Sequence, residues 1–114
     1  ARHERKQTVS GFALLRQAAD ECEVLSLAVS PDLRGDGVGG FLLDGAMEYA
    51  SVAGAIKLFL EVAEDNDVAR RLYEGRGLAP VGRRPDYYTR KDGTTAAALT
   101  MSCPLEAQAV RAPG

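Results

Sequence analysis

The chain has 114 residues and a formal net charge of −2, with 46% hydrophobic and 26% charged residues, a composition that predicts one folded domain spanning residues 1–114. No uncharged apolar stretch approaches the ~20 residues of a membrane helix, and the slightly negative charge disfavours binding to nucleic acid over the whole surface. We therefore expect neither a membrane nor a nucleic-acid partner.

Histidine and cysteine counts exclude further chemistries. The single histidine, His3, leaves little for histidine-dependent nucleophilic catalysis. The two cysteines, Cys22 and Cys103, lack CxxC spacing, so we expect no metal site. We expect two buried thiols in a reducing cytoplasm, the alternative being a single disulfide between them.

The first two predicted elements form a β-hairpin. Residues Val9–Arg16 and Cys22–Val29 are rich in apolar residues and are separated by the polar turn Gln17–Glu21. The segment Ser30–Asp32, which contains a proline, ends the second strand.

A helix and a central strand are predicted next. The helix spans Gly37–Ala53 and ends at Gly54, and the strand spans Ile56–Val62 and is apolar enough to lie inside a sheet. The apolar residues that mark the helix by their spacing are Val38, Phe41, Leu42, Met47, Tyr49 and Val52.

The last predicted elements are a helix and two strands. The helix begins near Asn66 and ends around Gly75–Gly77. Strands follow at Leu78–Arg83 and Thr95–Cys103, with Arg84–Gly93 as the loop between them. The order β-β-α-β-α-β-β combines hairpins with crossovers, so the predicted class is α+β with a mixed sheet.

The segment Arg34–Gly40 is the most informative part of the sequence. Four of the six residues from Gly35 to Gly40 are glycine, although glycine inside a helix costs about 1 kcal/mol relative to alanine. A loop wrapped around an anion, with backbone amides and the positive helix end facing it, accounts for this composition. A dinucleotide fingerprint is disfavoured because the loop does not follow its strand directly, and a P-loop is excluded because no Gly-Lys-Ser/Thr follows.

The pattern Arg34-x-x-Gly37-x-Gly39 resembles the (Gln/Arg)-x-x-Gly-x-(Gly/Ala) pyrophosphate loop of the GNAT acetyltransferases. Downstream, Glu61-x4-Asn66-x6-Tyr73 extends the resemblance. The stretch 61–88 closely resembles the RimI-type branch, which acetylates the N-terminal alanine of a small-subunit ribosomal protein. The resemblance covers about residues 9–105 and implies a GNAT fold: a mixed, mostly antiparallel sheet with a V-shaped splay, flanked by helices.

The resemblance also implies the co-substrate and the roles of individual residues. Acetyl-CoA would donate an acetyl group directly to a primary amine, with Glu61 as the general base and Tyr73 as the general acid that protonates the sulfur. Asn66 would hydrogen-bond the cofactor arm. The backbone of Leu27, Ala28 and Val29 would bind pantetheine like an added strand. The pyrophosphate would lie on the loop formed by Arg34, Gly35, Asp36, Gly37, Val38, Gly39 and Gly40.

Each of these side chains also has a simpler interpretation. Glu61 is also compatible with a solvated carboxylate at a strand end, Tyr73 with a core residue whose hydroxyl is hydrogen-bonded, and Asn66 with a helix cap. Tyr87 and Tyr88 resemble the tyrosines of the RimI-type RRxYY loop that lines the peptide entrance. This chain has one more residue between the arginines and the tyrosines than some members have, and a basic-aromatic loop could alternatively contact RNA.

The resemblance predicts an acetyl-CoA-dependent N-acetyltransferase that acts on a ribosomal protein N-terminus. It also predicts that a first strand and two helices, which precede the hairpin in relatives, are missing from residues 1–114. Two alternatives remain at this point: an acetyltransferase for small amines such as polyamines or antibiotics, and a non-catalytic module that binds acetyl-CoA.

Overall fold

Alternating apolar residues and short polar turns produce five strands and two helices in the described part of the chain, residues 11–30, 35 and 37–106 of a computed structural model. The elements are, in chain order, β1 (Gly11–Ala18), β2 (Glu21–Val29), α1 (Val38–Val52), β3 (Lys57–Ala63), α2 (Asp67–Glu74), β4 (Ala79–Thr89) and β5 (Thr95–Pro104).

The five strands form one mixed sheet in the order β1-β2-β3-β5-β4. Strands β2 and β3 are parallel because α1 connects them, whereas the other neighbouring pairs are antiparallel. Helix α1 packs against β1 and β2. The predicted α+β class with a mixed sheet is confirmed.

The core lies around the central strand β3, where every second side chain is buried. Leu58, Leu60 and Val62 are each at most 5% exposed and pack with residues of the neighbouring strands and of α1. Among these partners are Cys22, Val24, Leu43, Ala50, Leu99, Met101 and Cys103. Burial of this apolar surface supplies the main driving force for folding.

Helix α1 buries a different face from the one that the apolar spacing indicates. Its buried residues are small or lie between the predicted ones: Gly40, Leu43, Ala46, Ala50 and Ser51. Three of the apolar residues that mark the helix in the sequence are instead exposed, namely Phe41, Tyr49 and Val52. The helix itself is confirmed, but large apolar residues on both sides make its inner face ambiguous in the sequence.

Strand β4 is longer than predicted. The sequence indicates a loop from Arg84 to Gly93, but residues as far as Thr89 pair with β5. The loop prediction is therefore wrong for its first six residues, because every residue of β4 except Tyr88 is exposed and the strand has no apolar alternation to reveal it.

Both cysteines are buried free thiols, as predicted. Cys22 and Cys103 flank Leu58 from its two neighbouring strands. They are therefore about 10 Å apart, or two strand spacings, which is too far for a disulfide.

The described residues contain no group of three or more histidine, cysteine, aspartate or glutamate side chains placed to bind a metal ion. Neither α1 nor α2 has the length and apolar composition needed to span a lipid bilayer.

Candidate active site

A cleft opens in the sheet where β2 and β3 diverge. The two parallel strands pair only over Glu21–Val24 and Lys57–Leu60. Beyond that point, Leu25–Val29 continue along β1 but have no partner among the described strands on their other side. A bulge at Leu25 lies at the same place, since Leu14 pairs with Ser26 and Leu15 with Val24. Bulges bend a strand, which accounts for the splay.

A cavity of about 210 Å³ lies at the point of divergence. Four of its five polar lining residues lie outside β2: Glu61 from the end of β3, Asn66 from the turn that follows, Tyr73 from α2 and Tyr88 from β4. Residues of β2, β3, α2 and β4 therefore meet at one place. The strands contribute the rest of the lining, which consists of Val24, Leu25, Ser26, Leu27, Leu60, Val62 and Ala63.

Glu61 and Tyr73 occupy contrasting environments within this cavity. Glu61 points away from the buried face of Leu60 and Val62 and is exposed. Tyr73 is only 9% exposed, and burial raises the pKa of its phenol. A carboxylate able to accept a proton and a phenol that retains its proton thus line the same space.

Tyr88 is half-buried beside Glu61. Its pKa is raised, first by burial and then by the negative charge of the Glu61 carboxylate. Tyr87 packs edge-to-face against it, with ring centroids 5.2 Å apart, and the Arg84 guanidinium lies 5.3 Å from the centre of the Tyr87 ring. Of the two predicted substrate-binding tyrosines, Tyr88 therefore lines the cavity, whereas Tyr87 only packs against Tyr88.

Asn66 caps helix α2. Its Oδ1 accepts a hydrogen bond from the backbone amide of Ala69 at 3.2 Å. The cap engages the oxygen, so the side-chain NH₂ group remains available to donate into the cavity. The cap interpretation holds and is compatible with a second role.

A larger cavity of about 790 Å³ adjoins the first and shares Leu27, Asn66 and Tyr73 with it. The backbone edge of Leu27, Ala28 and Val29 forms one wall, and α2 forms the other through Val68, Ala69 and Leu72. Gly35 and Gly39 close the end near α1. An extended ligand could pair with the strand edge while its far end lies at the N-terminus of α1.

The glycines of the anion loop fall into two classes. Gly35 and Gly37 have positive φ values of 92° and 80°, and Cβ atoms there would meet nothing within 4 Å, so they are glycines for backbone conformation. Gly39 and Gly40 are packed by α2 and by the turn after it: a Cβ at Gly39 would lie 3.3 Å from Leu72. A Cβ at Gly40 would overlap the Arg76 guanidinium. The predicted loop residues Arg34 and Asp36 lie outside the described residues.

The first turn of α1 suits an anion. The cap residue Gly37 has no side chain to satisfy the first helical amides, and Val38, Gly39 and Gly40 add no acidic group. The amides of this turn are therefore available to contact an anionic group such as a phosphate.

Sequence reasoning missed the charged residues that tie the site together. Arg76 pairs with Asp44 at 3.2 Å. Arg83 of β4 pairs with Glu64, and Arg90, directly after β4, pairs with Asp65; both acidic residues lie in the turn after β3. These partners are 19 to 32 residues apart in the sequence, and their charges are typical of any solvated surface. No spacing in the sequence could have revealed the pairs.

A mixed sheet that splays between two parallel strands, beside a glycine-capped helix N-terminus, defines the GNAT class of fold. The family model described as the acetyltransferase (GNAT) family matches residues 1–78, and the chain belongs to that family.

The similar proteins include ribosomal modification enzymes. The ribosomal protein bS18-alanine N-acetyltransferase of Haemophilus influenzae is 35% identical over 97 residues, which are 85% of this chain and 66% of that protein. The crystal structure of the ribosomal-protein-S18-alanine N-acetyltransferase of Escherichia coli has a TM-score of 0.84 and 28% identity, covering 97% of this chain and 71% of the other. The chain thus spans about two thirds of the length of the curated relatives it matches.

An acetyltransferase named for a different acceptor is also similar. The crystal structure of nourseothricin acetyltransferase has a TM-score of 0.74 and 34% identity, covering 83% of this chain and 57% of the other.

Proposed function

We propose that this chain transfers an acetyl group from acetyl-CoA to the α-amine of an N-terminal alanine on a ribosomal protein, in the cytoplasm. The observation that carries the proposal is that Glu61, Asn66, Tyr73 and Tyr88 line one cavity at the cleft between β2 and β3. Relatives whose names specify ribosomal protein bS18-alanine acetylation support this acceptor.

The residues around the larger cavity fit acetyl-CoA, which supplies the acetyl thioester when bound. The unpaired edge of Leu27–Val29 would hold the pantetheine arm by strand-like hydrogen bonds, and Asn66 would donate to it from its side-chain amide. The amides of Val38, Gly39 and Gly40 would hold the phosphates at the positive end of α1, with Gly35 and Gly37 shaping the loop. Arg34 and Asp36 complete the proposed loop.

Glu61 and Tyr73 would move the two protons of the reaction. The neutral amine attacks the thioester carbon through its nitrogen lone pair, and the Glu61 carboxylate accepts, directly or through water, the proton that this nitrogen loses as the amide bond forms. When the carbon–sulfur bond breaks, Tyr73 donates its Oη proton to the sulfur. Burial keeps the phenol protonated until that moment, because it raises the pKa of Tyr73.

An α-amine is a suitable acetyl acceptor for an enzyme whose base is a single exposed carboxylate. At pH 7, roughly one α-amine in six to eleven is already neutral, given a pKa of ~7.7–8.0, compared with about one lysine in 2,500 at ~10.4. Tyr87 and Tyr88 would contact the acceptor, since Tyr88 lies beside Glu61 at the cavity and Tyr87 packs against it.

The experiment that tests the proposal measures acetyl-CoA binding by calorimetry and acetyl transfer by intact mass, with a peptide beginning with alanine as acceptor. We expect binding and a one-acetyl mass gain at the peptide N-terminus. Glu61→Gln should keep acetyl-CoA affinity but reduce kcat by roughly 100-fold, the usual contribution of a general base.

The outcomes distinguish the alternatives. Binding without transfer to any amine would favour a non-catalytic acetyl-CoA module. Transfer to nourseothricin but not to the peptide would favour an antibiotic acetyltransferase, a second candidate that the 34% identity to such an enzyme supports. An absence of acetyl-CoA binding would contradict the assignment of the cleft.

A further inference from the structure

Two consecutive acidic residues in the turn after β3 each bind an arginine, one within strand β4 and the other directly after its last residue. Glu64 accepts two hydrogen bonds from Arg83, at 2.6 Å from Nε and 3.0 Å from Nη2. Asp65 accepts one from Nη2 of Arg90 at 2.6 Å. We name these four residues the β4 clamp. Strand β5 lies between β3 and β4 in the sheet, so the clamp joins segments that share no backbone pairing.

The two arginines lie on either side of an irregularity in β4. Arg84 pairs in register with Ala98 and Tyr88 with Ala96, so the three residues between them, 85–87, lie opposite Ala97 alone. Within this bulge Asp86 has a left-handed φ of 53°. The bulge therefore sets the position of Tyr87 and Tyr88 relative to the rest of the sheet.

The bulged segment needs support because β4 is an edge strand. Among the described strands only β5 pairs with it, and the bulge interrupts that pairing. Arg83 holds the strand before the bulge and Arg90 holds the chain just after it. Both attach to a turn that follows Glu61 by three residues and precedes Asn66.

We propose that the β4 clamp fixes Tyr87 and Tyr88 against Glu61, so that Glu64, Asp65, Arg83 and Arg90 are positioning residues for the acceptor. The inference rests on the proposed function, in which these tyrosines contact the acceptor. The four residues act through β4 and do not line the cavity that holds Glu61.

The charge state and exposure of the pairs support a positioning role rather than a large contribution to stability. The Arg83 hydrogen bond lowers the pKa of Glu64, so the pair stays charged through the neutral range. The side chains of Arg83 and Glu64 are 54% and 40% exposed. Exposed pairs add little to global stability but can select one local geometry when a bidentate arginine is involved.

Charge reversal tests the clamp. Glu64→Arg and Arg83→Glu should each raise KM for the alanine peptide roughly fivefold, the scale of an exposed ion pair, and leave the Kd for acetyl-CoA unchanged. The double variant E64R/R83E restores the pair with opposite polarity and should return KM to the wild-type value. D65R, R90E and their double variant should behave in the same way.

The matched control is the Arg16–Glu23 pair, an exposed bridge between β1 and β2 away from the clamp. Arg16→Glu should leave peptide KM unchanged. The inference is overturned if the single clamp variants also leave peptide KM unchanged, if the double variants fail to restore it, or if acetyl-CoA affinity falls in parallel.

Hydrogen exchange of the β4 amides supplies a readout that does not depend on activity. Exchange over Ala79–Thr89 should accelerate in the single variants and recover in the double variants. If the wild-type chain transfers no acetyl group to the peptide, the proposed acceptor fails, and the exchange measurement still decides whether the clamp orders the strand. Equal exchange in all variants would overturn the clamp.

Discussion

Tyr73 is the most buried polar residue of the cleft, and removal of its hydroxyl group should slow acetyl transfer. Tyr73→Phe removes only the hydroxyl, so the core packing around the ring and the affinity for acetyl-CoA should persist. We expect kcat to fall by roughly 100-fold, the usual contribution of a general acid. Steady-state kinetics with the alanine peptide provide the measurement, and an unchanged kcat would assign Tyr73 to the core alone.

The pH dependence of kcat in the wild-type chain should also reflect the role of Tyr73 as the general acid. Tyr73 donates a proton only while it is protonated, and an ordinary phenol loses its proton near pH ~10. Burial raises the pKa of Tyr73, so the active protonated form persists to higher pH than an ordinary tyrosine would allow. A loss of kcat due to this group should therefore not occur below about pH 10.

The sequence predicted individual site residues correctly where they lie close together in the chain at a characteristic spacing. Glu61, Asn66 and Tyr73 lie on one strand–turn–helix unit, so local geometry brings them together as their spacing indicates. Gly39 and Gly40 are different, because the loop composition pointed to an anion while their closest neighbours are Leu72 and Arg76 of α2 and its C-terminal turn. Such contacts depend on tertiary packing, which cannot be predicted from the glycine-rich segment alone.

Helix α1 offers a test of that distinction between glycines. Gly45 lies in the same helix with nothing within 4 Å of a Cβ placed there, so Gly45→Ala should stabilise the protein by about 0.5–1 kcal/mol through helix propensity. Gly40→Ala should lose this gain, because the new methyl group displaces Arg76 from its pair with Asp44. Denaturant unfolding measures both.

Arg76→Ala supplies the control background for these variants. With the guanidinium removed, Gly40→Ala should become stabilising, whereas the effect of Gly45→Ala should not change. If Gly40→Ala is equally favourable with and without Arg76, the packing account of Gly40 is wrong.

Strand β4 shows why elements at a sheet edge are hard to predict. Its residues Arg83–Tyr88 are polar, contain a proline and resemble a loop, and a bulge offsets their alternation. Pairing with β5, where Ala96–Leu99 are all buried, determines that the segment is extended. The central strand β3 has the opposite character, since its apolar run is sufficient to predict it.

The reactivity of the two thiols measures whether the core of the sheet is closed or open. Cys22 is fully buried, Cys103 is 4% exposed, and burial raises the pKa of both thiols. Since the thiolate is the reactive form, neither should react with a disulfide reagent until the sheet opens. We expect both to react together across the denaturant transition, with two thiols titrated per unfolded chain. Rapid reaction of either one in the native protein would contradict the described core.

The divergence of β2 and β3 should also make the stability of the folded protein depend on the concentration of acetyl-CoA. On one side of Leu25–Val29 no described strand pairs with the backbone, and such an edge can pair with other extended chains, so we expect an aggregation hazard there in the ligand-free protein. A bound pantetheine arm would cover that edge, and mass action would then stabilise the folded state by about 2.7 kcal/mol when the ligand stands at 100 times its Kd. The persistence of this protein in a cell would consequently follow the supply of acetyl-CoA.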